Sequence, residues 1–231
     1  MLNEKENFFA KKDEVSSFIE DNIKYSIETI EKTSNIEKCI DSADLTRCPR
    51  YIFYKASRGV SNQLEKLFKC YIIEKWKNIF QANKRFDVLS DKYSCSDIKY
   101  NLVGSLDLII RDINNPRKPF AIKVHHVEQE EFKTIKEGKV PRKDIIELMA
   151  NMWMAEIANG ILIYENKNFF EFETYHISPD TILINSIKTV CKDINKYNIT
   201  RELPVRPYEI ISTECEKCVF KASCWLEKKN D

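Results

Sequence analysis

Asn101-Leu102-Val103-Gly104-Ser105-Leu106-Asp107-Leu108-Ile109-Ile110-Arg111-Asp112, followed after a short break by Lys118-Pro119-Phe120-Ala121-Ile122-Lys123-Val124, is the stretch that decides the fold. Both runs are aliphatic and β-branched, and Asn114-Asn115-Pro116 interrupts them, so they read as two strands joined by a turn. Upstream, residues from about Ser61 through Trp76 carry Leu64, Leu67, Phe68, Tyr71, Ile72 and Trp76 at helical spacing, a stripe expected to face inward. Downstream, residues 141–158 read as a helix that starts at Pro141 and stops before Asn159-Gly160. Gly160-Ile161-Leu162-Ile163-Tyr164 is a third strand, and Phe169 through His176 alternates like a fourth. Ser178-Pro179-Asp180 opens a last long helix. This order predicts an α/β domain with a central mixed sheet flanked by helices. Residues 1–43, with Phe8, Phe9, Val15, Phe18, Ile19, Ile23, Ile27 and Ile30 at helical spacing, read as a helical extension ahead of a main domain over 44–231.

With 231 residues, 43% hydrophobic and 32% charged, the chain has the composition of a globular protein able to bury a large core. A formal net charge of +1 announces no nucleic-acid partner, so any basic surface must be local. No apolar run is long enough to span a bilayer and the first residues show no signal-peptide pattern, so the expectation is a cytoplasmic protein with no membrane partner.

In a reducing compartment, eight cysteines point to metal binding before disulfides. Four have ligand-like placing. Cys48 stands in Leu45-Thr46-Arg47-Cys48-Pro49-Arg50, and Cys215, Cys218 and Cys224 form C-x2-C-x5-C near the other end. Thiolates at that spacing bind one centre from a tight turn, and four satisfy either zinc or an iron–sulfur cluster. If Cys48 completes the set, one cofactor fastens the start of the domain to its end. Cys39, Cys70, Cys95 and Cys191 have no such spacing and read as small core residues.

In the hairpin, Asp107 and Lys123 point into one region if the strands pair. A carboxylate there suits Mg2+ or Mn2+, and a neighbouring lysine suits positioning a water and stabilising charge on a phosphoryl group. On strand logic alone the pair also reads as a structural ion pair. Arg47, Arg50 and Tyr51 beside Cys48 suit stacking on single-stranded bases, or else packing over the cysteine site. His125 shares the face of Lys123 and is open to a phosphate or metal contact, or to a plain strand-end role. Lys133, Lys136, Lys139, Arg142 and Lys143, interspersed with Glu130, Glu131 and Glu137, read as a solvated basic loop.

Cys48-Pro49-Arg50-Tyr51, Gly104-x-x-Asp107, the strand carrying Lys123, the helix before Gly160-Ile161-Leu162-Ile163-Tyr164-Glu165-Asn166-Lys167, and the terminal cysteines together resemble the PD-(D/E)XK nuclease superfamily. Within it they resemble the RecB-like branch with an iron–sulfur cluster, the type of the CRISPR-associated exonucleases and helicase-nuclease subunits. The resemblance spans residues 44–226. It implies a restriction-endonuclease-like core, a 4Fe–4S cluster (or Zn2+) on Cys48, Cys215, Cys218 and Cys224, Mg2+ or Mn2+ at the catalytic centre, and Lys167 as a phosphate contact. It further implies a DNA nuclease acting on ends or single strands, with partners in a DNA-processing complex.

The family pattern breaks where catalysis is expected. Its Glu-x-Lys motif reads Ala121-Ile122-Lys123 here, and the histidine expected four residues after Gly59 is Gln63. The positions of its Gln-x-x-x-Tyr helix are Glu147 and Asn151. Three explanations stay open. Glu147, which shares a helix face with Asp144 and Asn151, replaces the missing carboxylate as catalytic metal ligand beside Asp107. Alternatively, Ala121 is an engineered substitution of a natural glutamate. In the third, the site is naturally inactive and the chain is a DNA-binding or assembly protein on a nuclease fold.

Overall fold

The computed structural model describes residues 39–58, 63–169, 171–206 and 212–226. The expected helices before residue 39 and the Gly59 position lie outside them.

A mixed sheet of six strands forms the centre. Strand β1 is Ile40–Asp41, β2 Phe86–Asp97, β3 Leu102–Asp112, β4 Pro119–Val127, β5 Asn159–Asn166 and β6 Phe172–Ile177. The order is β1-β3-β4-β5-β6, with β2 also paired to β3. The predicted hairpin is β3–β4, antiparallel with Leu108 opposite Ile122 and Ile109 opposite Ala121. β4 and β5 run parallel, so their connection must cross over, and it does so through helices α3 (Gln129–Lys136) and α4 (Arg142–Met154). β1 is parallel to β3 and the remaining pairs are antiparallel.

Helices cover both faces. Helix α2 (Gln63–Ala82) lays Ile73 and Trp76 on Leu108, Ile110, Ile122, Val124 and Ile163. On the other face, Leu148 and Met152 of α4 pack on Leu106, Ala121 and Leu162. Helix α5 (Thr181–Thr200) backs α4, with Ile187, Cys191 and Ile194 against Met149 and Ala150. The Asp180 carboxylate caps α5 by accepting from the N–H groups of Ile182 and Leu183, and Arg201 ends it in the left-handed conformation. Helix α1 (Pro49–Arg58) follows Cys48, and the short α6 (Thr213–Glu216) and α7 (Lys221–Leu226) carry the C-terminal cysteines.

Two glycines mark where α4 meets the sheet. A Cβ at Gly160 would stand 2.4 Å from Met152 Sδ, and one at Gly104 would stand 2.0 Å from Asn151 Oδ1 and 2.5 Å from Ser42 Oγ. Only glycine lets the helix come this close.

The structure departs from the sequence reading in several places. β2 was not expected: Asp87, Ser90, Asp91, Lys92, Ser94 and Ser96 dilute its apolar alternation, and long-range pairing with β3 makes it a strand. Tyr71, expected inward, is 75% exposed, while Ile73 takes the buried position. Helix α4 stops at Met154, because Glu156 adopts a positive φ of 56° ahead of β5. Ile40–Asp41 belongs to the sheet, so the domain begins before residue 44. Cys95 and Cys191 are buried, and burial pushes their thiols up to about 11 and about 12, whereas Cys39 and Cys70 are half-buried.

Candidate active site

β1 pairs with β3 only at Leu102 and Val103, and β4 pairs with it only from Leu108 onward. Between those points the edge of β3 opens, and Gly104 to Asp107 line a notch. The freed Ser105 carbonyl accepts from Lys123 Nζ at 3.0 Å and from Asn151 Nδ2 at 2.9 Å. Asp107 Oδ2 accepts from the Val124 N–H at 2.7 Å, bridging strands that no longer share a ladder bond. Unpaired backbone groups thus become the scaffold of a polar site inside the core.

Lys123 is 1% exposed. Its ammonium lies 2.6 Å from Glu147 Oε1 and 3.9 Å from Asp107 Oδ1. Asp144, Glu147 and Asn151 do share the α4 face that looks into the sheet: Asp144 and Asn151 are buried, and the Glu147 side chain is 15% exposed. On the opposite side, Lys69 of α2 places its ammonium 3.2 Å from Asp107 Oδ1. A lysine from each of two layers therefore meets a carboxylate at the notch, and Asp107 and Glu147 are balanced by Lys69 and Lys123.

Burial opposes the Lys123 ammonium, but Asp107 and Glu147 outweigh it and hold the group above the ordinary lysine range. Burial likewise opposes ionisation of Glu147, yet Lys123, with help from Lys69, keeps its carboxyl below the ordinary range. The pH consequence has a definite sign. A depressed carboxyl contributes stability that is complete above the unfolded value of about 4.3 and is lost as pH falls through the folded value. A raised lysine contributes fully below about 10.4 and loses its contribution as pH rises through its folded value. Wild type should therefore exceed Glu147→Gln in urea midpoint by its largest margin between about pH 5 and pH 10, and the margin should shrink steadily as pH falls below about 4. An equal margin at pH 3 and pH 7 would count against the coupling.

His125 lies two residues beyond Lys123. Its ring stacks on Tyr164 at 5.2 Å and its Nδ1 stands 3.9 Å from Asp144 Oδ1, while the Tyr164 hydroxyl donates to Asp144 Oδ2 at 2.8 Å. Burial pulls the imidazole below its usual range, against the opposing pull of Asp144 and Glu147. Lys167 sits past the end of β5, paired with Glu128 at 2.7 Å on the surface. The basic stretch expected as a loop is partly helical: Lys133 pairs with Glu130 one turn earlier on α3, Lys139 pairs with Glu137 beyond its end, and Arg142 and Lys143 open α4.

The sequence reading missed Lys69. Its signal was present, because residues 69, 72, 73 and 76 lie on one helical stripe, and a charge in an apolar stripe marks a buried polar partner.

Cys48, Cys215, Cys218 and Cys224 line one cavity of ≈ 40 Å³. That exceeds the roughly 10–15 Å³ that admits a water. All four are free thiols, and among the described residues no group of three or more His, Cys, Asp or Glu stands at metal-coordinating geometry. Burial raises the Cys48 thiol, partly offset by the N–H groups of Tyr51 and Arg50 at the start of α1. Arg50 is buried, donating from Nε to the Pro204 carbonyl at 2.6 Å and from Nη1 to the Cys224 carbonyl at 3.2 Å. Phe220 packs on Tyr51 and Tyr54, and the Arg47 guanidinium lies over the Tyr51 ring at 5.4 Å. Arg50 and Tyr51 thus fasten the C-terminal segment, and Arg47 remains exposed.

No protein-family model matches the sequence, and no curated protein matches it. Solved structures do match. The crystal structure of SSO0001 aligns with a TM-score of 0.59 at 18% identity, over 91% of this chain and 95% of that one. The alkaline exonuclease LHK-Exo from Laribacter hongkongensis, in complex with dAMP, aligns with a TM-score of 0.55 at 13% identity, over 72% of this chain and 91% of its own. A phage-related exonuclease from Haemophilus somnus aligns with a TM-score of 0.50 at 11% identity, over 72% and 96%. At these identities the likeness establishes the fold. The chain shares the mixed α/β architecture of these structures, a central sheet flanked by helices. Among the described residues no helix is long and apolar enough to cross a membrane.

Proposed function

We propose that the protein is a nuclease-type enzyme that cleaves DNA phosphodiester bonds with a divalent cation, acting on ends or single strands. The observation that carries this reading is the meeting of Asp107 and Glu147 around the buried Lys123 in the β3–β4 notch, within an exonuclease-like fold. Hard carboxylate oxygens from two elements fit Mg2+ or Mn2+. Asp107 and Glu147 are the residues that would hold the ion, which when bound neutralises phosphate charge and polarises water. Lys123, 2.6 Å from Glu147 and 3.9 Å from Asp107, would position the attacking water and offset charge on the phosphoryl group. Arg47 on the surface and Lys167 beyond β5 are the proposed DNA contacts.

The four thiols of the cysteine cavity suit a soft-ligand centre, and we place a 4Fe–4S cluster or Zn2+ there, in line with the RecB-like branch. Its role is to hold the C-terminal segment against α1.

A second reading has its own support. Ala121 offers no carboxylate, and Lys69 already sits on Asp107. On that reading the chain binds DNA without cutting it.

Labelled single-stranded DNA with Mn2+ separates the two. The nuclease reading expects cleavage that falls at least about 100-fold in both Asp107→Asn and Glu147→Gln, as for groups acting directly on the reacting centre. DNA binding with no cleavage by wild type would replace it with the binder reading. Metal analysis and visible absorption of the same protein, against Cys48→Ser, test the thiol centre; equal metal content in both would overturn it.

A further inference from the structure

We propose that the Lys69 ammonium is the resident cation of this site and competes with a divalent metal for the Asp107 carboxylate. The inference rests on the metal-site reading above and deepens it.

The charge arrangement motivates it. The Asp107 side chain is 2% exposed, and a carboxylate that buried needs compensation. It receives the Val124 N–H at 2.7 Å and Lys69 at 3.2 Å, with Lys123 at 3.9 Å. Ala121 brings no further carboxylate to the strand, and Lys69 and Lys123 already compensate Asp107 and Glu147 without any metal.

The two lysines differ in one decisive respect. The Lys123 side chain is 1% exposed and also holds the Ser105 carbonyl, so it has no route to water. The Lys69 side chain is 38% exposed, and its ammonium can reach solvent by rotating a flexible stem. A divalent ion approaching Asp107 Oδ1 must displace Lys69 or bind against an adjacent positive charge. Metal affinity is therefore set by Lys69, and the wild-type site is a weak one whose cation is built in.

The test is Mn2+ binding by the full chain, read from loss of the free-ion EPR signal, with no DNA present. Lys69→Met and Lys69→Gln should each bind Mn2+ at least tenfold more tightly than wild type. Lys69→Arg, which keeps the charge, should match wild type. Adding Asp107→Asn to Lys69→Gln should return binding to the weak level. Equal, Asp107-dependent affinity in wild type and both neutral variants would overturn the competition while leaving the metal site standing. Absence of Asp107-dependent binding in every variant would overturn both.

Discussion

Lys123→Met should lose about 3–5 kcal/mol of folding stability at pH 7, because it strips a buried ion-pair network of its central cation. That is a large share of the roughly 5–15 kcal/mol that holds an ordinary domain together. Lys123 is 1% exposed, touches Glu147 at 2.6 Å, faces Asp107 at 3.9 Å and donates to the Ser105 carbonyl at 3.0 Å. Removing it leaves two carboxylates near the sheet with less compensation and one carbonyl with a single side-chain donor, Asn151. The signature that separates this from simple loss of packing is its pH dependence. Without Lys123, burial dominates and raises the Glu147 carboxyl, so acidification to about pH 5 should recover part of the loss. Urea unfolding at pH 7 and pH 5 measures it; a deficit that stays constant, or grows toward pH 5, would contradict the network.

The second large effect is expected for Ala121→Glu, which adds a carboxylate to β4 two residues before Lys123. Ala121 is fully buried in an apolar cluster with Leu106, Ile109, Leu148 and Leu162. It pairs across β4–β5 with Gly160, where Leu148 and Met152 press onto the sheet. A glutamate there meets both overpacking, about 1–3 kcal/mol, and burial of a carboxyl, about 1–3 kcal/mol or more. The variant should lose roughly 3 kcal/mol or more and melt earlier in metal-free buffer. If the new carboxylate reaches the ion proposed at Asp107, Mn2+ should raise its Tm by more than it raises that of wild type. A metal-free Tm equal to that of wild type would show that α4 adapts freely to a larger side chain.

These two positions show how differently the site was readable. Asp107 and Lys123 were legible as neighbours because a hairpin pattern brings its two strands together, although the ladder itself stops one residue short of them, at Leu108 and Ile122. Glu147 was legible as one of three polar residues on a helix face, but its inward orientation needed the packing of α4 around Gly104 and Gly160. Lys69 was written into the stripe of α2 and overlooked, since a lysine on a helix is ordinarily solvated and only the opened edge of β3 gives it a buried partner. Strand β2 was invisible for a related reason: its polar residues follow no clean alternation, and its ladder with β3 supplies what local preference does not.

Local order determined the rest. Apolar periodicity, the Pro141 and Asp180 helix starts and the Asn114-Asn115-Pro116 break placed the β3–β4 hairpin, α4, β5 and α5, because each depends on residues near one another in the chain. Tertiary structure alone decided that the edge of β3 parts between Val103 and Leu108, that Lys69 arrives there from one layer and Glu147 from the other, and that Arg50 turns inward to hold the Pro204 and Cys224 carbonyls. Those outcomes depend on how buried charges and unpaired backbone groups find compensation across the whole fold, and such pairings carry no fixed spacing along a sequence.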